Sequence, residues 1–162
     1  MRLPVLLTTL SSLPLLLATP YYPIKALISR THNVTYCPPR PATERQQRAI
    51  FNDFVSILYG DKNPIKAFDT YVALNLTEHD PFDAQGRDAN AAKLAAIVPY
   101  AQFTVLRQNF DNNLGFIHVR IEDNPEPDAL ADIYRMDGTC IVEHWDIVQA
   151  RPANATNPIA MF

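Results

Sequence analysis

The sequence predicts an α+β domain, in which about three helices precede a curved, mostly antiparallel sheet. Two observations carry this. Between residues 43 and 99, apolar side chains recur at helical spacing between capping and breaking signals; from 103 to 150, strand-like segments alternate with turn dipeptides. Helices first and strands afterwards make the α+β order, and one twisted sheet wrapped around helices leaves a cavity between the two layers. A chain of 162 residues, 48% apolar and 19% charged, suffices for one domain with a real core.

The first helix is expected from about 44 to 59. Thr43-Glu44-Arg45-Gln46 is a capping-box signature, in which Thr43 and Gln46 satisfy the first free amides. Ile50, Phe54, Ile57 and Leu58 follow on one face, Phe51 and Val55 widen the stripe, and Gly60 ends it. Asn63-Pro64 opens a second helix, with proline at its first position and Ile65, Phe68, Tyr71 and Val72 as its apolar face. Residues 75–88, NLTEHDPFDAQGRD, read as a polar connection. Asp88 is the expected cap of an alanine-rich third helix reaching about Val98, where Pro99 stops it. Four strands are expected at 103–110, 114–122, 128–136 and 139–150, with turns at Asn112-Asn113 and Asp137-Gly138. The tail, RPANATNPIAMF, ends in apolar residues that can fold back onto the body.

The start of the chain is a different material. In MRLPVLLTTLSSLPLLLA, residues 1–18, one cation precedes an apolar run and a small residue, the layout of a secretory signal peptide. Pro4, Pro14 and Pro20 and the shortness of the run argue against a membrane anchor, so no membrane association is expected after cleavage. Residues 19–42 form a proline-rich arm, and 43–162 the folded domain. Sequons at Asn33, Asn75 and Asn154 agree with a secreted glycoprotein. Cys37 and Cys140 are the only cysteines, and in an oxidising compartment they suggest one disulfide between the arm and the last turn. The net charge of -3, without a basic run, argues against a nucleic-acid partner.

Several short motifs then carry a resemblance. EHDP (78–81), Gly86, IHV (117–119), DIYRMDGTCIVEHWD (132–146) and NPIAMF (157–162) occur in the order found in the SnoaL-like polyketide cyclase branch of the nuclear transport factor 2-like superfamily. Relatives show a QHNP-type motif, a D-I-[FY]-R strand and G-K-I-x-E-H-W-D; here Glu78 and Asp80 replace the usual Gln and Asn, and Cys140 the usual lysine. The resemblance spans about 44–162 and implies a cone-shaped α+β barrel with a pocket under three helices. The implied chemistry is cofactor-free cyclisation, isomerisation or dehydration by acid–base groups, and relatives are often dimers through the sheet. Fold alone does not settle function.

Strand geometry bears on the candidate site. His144 and Asp146 share one face of their strand; Glu143 and Trp145 share the other. A two-residue loop at Asp137-Gly138 would put Asp132 with Glu143 and Trp145, whereas a three-residue loop at 136–138 would put Asp132 and Tyr134 with His144 and Asp146. The resemblance favours the second. The expected site then holds Asp146 as general acid/base, with Asp132, His144 and His79 beside it, and Tyr134 and His118 contacting substrate. Trp145 is expected to pack on the opposite face, and Arg135 and Glu143 to form a cross-strand ion pair. No HxH or HExxH spacing supports a metal, and no GxSxG supports a serine nucleophile.

The leading expectation is therefore a secreted acid–base enzyme acting on a small, apolar, oxygenated metabolite. The alternatives are a non-catalytic extracellular carrier of such a ligand and a dimeric scaffold using the sheet face. A cavity smaller than about 300 Å³ counts against enzyme and carrier alike.

Overall fold

The computed structural model describes residues 35–122 and 125–162. The expected leader, most of the arm and Asn33 lie outside the described residues.

Helix α1 runs from Glu44 to Val55 with the capping box formed: the Thr43 side chain accepts from the Gln46 amide, and the Gln46 side chain accepts from the Thr43 amide. Its last turn, Ser56–Gly60, widens into a π-helix, which re-aims Tyr59. Helix α2, Pro64–Tyr71, starts on Asn63, whose side chain accepts from the Lys66 amide. Phe68 and Tyr71 are buried, but Ile65 points outward, 46% exposed, and Val72 already belongs to a strand.

That strand corrects the expected polar connection. β1, Val72–Glu78, buries Val72, Ala73, Leu76 and Glu78. Helix α3, Arg87–Ile97, is capped by Gly86 rather than Asp88, which pairs instead with Arg87 in the first turn. Gly86 sits at φ 94°, where a side chain would be strained.

Strands β2 (Gln102–Asp111), β3 (Leu114–Glu122), β4 (Asp128–Asp137) and β5 (Cys140–Ala150) follow as expected. The sheet order is β1-β5-β4-β3-β2, with β1 parallel to β5 and the rest antiparallel. The hydrogen-bonded ladder stays open between β1 and β2, so the α+β cone is a curved sheet capped by helices rather than a closed barrel.

The core fills the concave side. Phe51, Phe54, Phe68, Phe110 and Tyr134 are each at most 1% exposed, with Phe54 edge-on to Tyr134 at 5.0 Å. A Cβ on Gly115 would lie 2.3 Å from the Phe51 ring, so glycine alone lets helix and sheet close. The arm is fastened at three points: Cys37 is disulfide-bonded to Cys140, Tyr36 stacks on Tyr71 at 4.9 Å, and Arg40 exchanges hydrogen bonds with Thr139. The tail does fold back, placing the Phe162 ring under Arg120 at 4.6 Å. Asn75 and Asn154 are exposed.

The β4–β5 hairpin uses neither expected loop. Asp137 pairs with Cys140, so Gly138-Thr139 is the turn, with Gly138 at φ 50°. Continued unbroken, that register would set Asp132 opposite Trp145. A β-bulge intervenes: Met136 pairs with Ile141 and Arg135 with Glu143, leaving Val142 as the extra residue. Beyond it, Tyr134 faces His144 and Asp132 faces Asp146.

Candidate active site

A cavity of about 240 Å³ opens between the sheet and helices α2 and α3. Leu58, Phe68, Leu94, Phe103, Ile121 and Leu130 supply its apolar wall. The polar side is built where β1 meets β5.

Past an irregularity in the parallel pairing, Thr77 faces Glu143 and Glu78 faces His144. The His79 amide donates to the His144 carbonyl at 3.0 Å and so closes the Glu78–His144 rung, the last of the pairing. The inner rung is Glu78 with His144, and Asp80, just past the end of β1, lines the same cavity as Asp146; the outer rung is His79 with Trp145, their rings stacked at 4.7 Å.

His144 is held at both ring nitrogens. Nδ1 lies 2.8 Å from Glu78 Oε2, and Nε2 lies 3.3 Å from Asp132 Oδ1. Burial disfavours the imidazolium, but hydrogen bonds to Asp132 and Glu78 outweigh it and raise the pKa to about 10. Both nitrogens therefore donate, and His144 is a buried cation that fixes two carboxylates rather than a free base. For Glu78, burial works against ionisation, yet the His144 contact and the amides of Asp80 and His79 leave its pKa lowered. Tyr59 and Tyr134 both hydrogen-bond to Asp132 Oδ2. Burial and the nearby Asp132 charge raise both phenol pKa values, so the hydroxyls remain donors.

Asp146 differs from its neighbours. Burial, together with the hydrogen bond and charge of Asp80, raises its pKa to about 6 although His144⁺ pulls the other way. Its Oδ1 is buried and has no hydrogen-bond partner among the described residues. Asp80 responds in the opposite sense: the Phe82 amide, Asp146 and Lys93 outweigh its desolvation and lower its pKa. A carboxyl poised near neutrality against an apolar wall can take or give a proton. Among the described residues, no group of three His, Cys, Asp or Glu side chains has the arrangement of a metal site.

No family model matches the chain, and no curated protein is significantly similar to it. Solved structures do match. An NTF2-like protein of unknown function from Burkholderia xenovorans is 16% identical, with 70% of this chain and 90% of that one covered at a TM-score of 0.58. A candidate ketosteroid isomerase from Kribbella flavida is 16% identical, with 71% and 84% covered at 0.57. A candidate SnoaL-like polyketide cyclase from a Jannaschia species is 10% identical, with 64% and 88% covered at 0.52. The fold is that of the nuclear transport factor 2-like proteins.

Within this NTF2-like fold, four of the six residues expected at the site, Asp132, Tyr134, His144 and Asp146, line the cavity. Two do not. His79 is on the outer rung, bonded to Glu143 at 2.8 Å, because a strand turns alternate residues to opposite faces. His118 is on the outside of β3, 2.9 Å from Arg107 and stacked on Phe162, since its neighbours Ile117 and Val119 take the core face. Glu78, Asp80 and Tyr59 were not expected. The signal for the first two was period two: E-x-D facing H-x-D. Tyr59 carried none, because its direction depends on the π-helical turn.

Proposed function

We infer that the protein is a cofactor-independent acid–base enzyme of the SnoaL-like kind, secreted, and acting on a small oxygenated metabolite by cyclisation, isomerisation or dehydration through an enol. The observation that carries this is Asp146, a carboxyl with its pKa raised to about 6 and an unpartnered buried oxygen at an apolar cavity. A base of that strength removes a proton beside a carbonyl, at a cavity whose polar wall holds Tyr59 and Tyr134 on Asp132 as one hydrogen-bonded group. The SnoaL-like and isomerase neighbours support the chemistry by analogy, and the Cys37–Cys140 disulfide with exposed Asn75 and Asn154 supports an oxidising, extracellular setting.

The cavity narrows the substrate. At about 240 Å³ it is smaller than the bound of roughly 300 Å³ set above, which counts against the enzyme and carrier readings alike, and most against a multi-ring polyketide. An apolar cavity of about 150 Å³ suffices for benzene, so the reading survives for a single-ring or short-chain compound. A specific observation favours the carrier as the second reading: His144, the imidazole at the cavity, is saturated by its carboxylates.

The test is turnover of a panel of single-ring hydroxyketones and diketones, followed by NMR, with wild type and Asp146→Asn. Turnover by wild type that falls about 10²–10⁴-fold in the variant supports the enzyme. No turnover of any compound, with ligands bound equally by both proteins, sinks it in favour of the carrier.

A further inference from the structure

Two turns compete for the β4–β5 hairpin, and the site depends on which one forms. Asp-Gly at 137–138 is one favoured two-residue loop; glycine at the first loop position, as in Gly138-Thr139, is the other. The structure uses the second, with Asp137 paired to Cys140 and Asp132 opposite Asp146. The first would pair Met136 with Thr139. Carried along the strands unbroken, it sets Asp132 opposite Glu143, away from the face of His144 and Asp146. With the same bulge, it sets Asp132 opposite His144 instead of Asp146.

One amide separates the turns. A loop at Asp137-Gly138 closes when the Thr139 N–H donates to the Met136 carbonyl. Here that N–H donates to the Arg40 carbonyl of the arm at 2.9 Å. The contact belongs to a clasp. The Thr139 hydroxyl donates to the Tyr36 carbonyl at 2.5 Å and accepts from the Arg40 amide at 3.2 Å. The Gly138 carbonyl accepts from the Gln47 side chain at 3.1 Å. A Cβ on Gly138 would collide with the Arg40 carbonyl oxygen, so the arm fills the space over the turn. The disulfide ties Cys37 to Cys140, the first residue after the turn, and Tyr36 stacks on Tyr71. None of the arm or turn residues lines the cavity.

We propose that the disulfide-tied arm is a register lock for the site: by holding the Thr139 amide, the Arg40 carbonyl excludes the Asp137-Gly138 turn and keeps Asp132 opposite Asp146. Cys37, Arg40, Thr139 and Cys140 are positioning residues, which act through the hairpin and touch no ligand. Released from the arm, the Thr139 amide returns to Met136, the earlier turn forms, and Asp132 leaves its place across from Asp146. The consequence for turnover rests on the acid–base reading above; the lock itself is a matter of backbone pairing.

NMR of the isotope-labelled whole chain tests it, in wild type, in Cys37→Ala/Cys140→Ala and in Thr139→Val. In wild type, the Thr139 amide should be protected from hydrogen exchange about 100-fold or more, and cross-strand backbone contacts should join Asp132 to Asp146. In the cysteine variant, with helix content retained by circular dichroism, those contacts should move to His144 or Glu143. Turnover of the single-ring panel should then fall about 100-fold. Thr139→Val keeps the disulfide and the amide but loses both hydroxyl bonds, and should show the same shift in part of the molecules. A Thr139 amide that exchanges freely in wild type overturns the lock and needs no variant. So does a folded cysteine variant that keeps the Asp132–Asp146 contacts, whatever its turnover. Wild type that turns over none of the panel overturns the acid–base reading alone, because the contacts still decide the lock.

Discussion

The two faces of the β1–β5 seam use the same kinds of side chain to opposite ends. On the inner face, Glu78 and His144 are 4% and 7% exposed and bonded at 2.8 Å. On the outer face, His79 and Glu143 are bonded at the same 2.8 Å, but the His79 side chain is 39% exposed. Distance is equal; solvent is not. Inside, the histidine is driven to a lasting positive charge because two carboxylates near it have no water to turn to. Outside, water and salt screen the pair, and Arg135, 2.5 Å from Glu143, shares its charge. A histidine–carboxylate motif is therefore a structural strut or a surface ornament according to which way the strand faces it.

The sharpest way to break this contrast is to remove the buried cation. His144→Ala leaves Glu78 and Asp132 without their partner, and an unfolding free energy lower by about 3–5 kcal/mol is expected in urea denaturation. The loss has a defined pH window. The folded pKa of about 10 lies above the ordinary 6.5, so the contribution of His144 is fully present below 6.5 and is lost as pH rises through 10. The gap between wild type and variant should shrink over that range; a gap that stays constant to pH 10.5 would show that His144 is neutral and merely packed.

Asp146 gives a middle-sized effect of the opposite sign. Its folded pKa, about 6, is raised above the ordinary 3.8, so the fold favours its protonated form. That contribution is present below 3.8 and lost as pH rises through 6, after which the ionised group opposes folding. Asp146→Asn should therefore raise Tm at pH 8 and leave it unchanged at pH 3.5. An equal or lower Tm at pH 8 would place Asp146 among structural acids and weaken its functional reading.

The smallest effect belongs to the outer rung. His79→Ala should cost less than about 1 kcal/mol and leave turnover unchanged, with the difference fading in high salt. A large loss of activity would return His79 to the site.

Much of the fold is legible in the chain because it is local. The Thr43–Gln46 box, Pro64 at a helix start and the alternation in β3 and β4 are decided within a few residues. β1 was missed for a reason of the same kind: VALNLTE ends in a glutamate, and a strand that buries a charge looks like a loop. Had 72–78 been read as a strand, its alternation would already have turned His79 away from Glu78. The arm's disulfide was legible because only two cysteines exist, whereas the hairpin register was not. Its outcome depends on a bulge at Val142 that nothing in DGTCIVE marks, and the site residues reached the expected face through a turn other than the one expected.

By itself, then, the sequence determined that helices come before the main strands, that Cys37 and Cys140 are partners, and that His144 and Asp146 share one strand face, whereas the bulge in the hairpin brought Asp132 and Tyr134 to that face. The tertiary structure alone decided their chemistry. Protonation depends on what lies across a gap and on whether water fills it, and here the deciding partners, Glu78 at the end of the neighbouring strand and Asp80 just past it, are 66 residues away in the chain from His144 and Asp146.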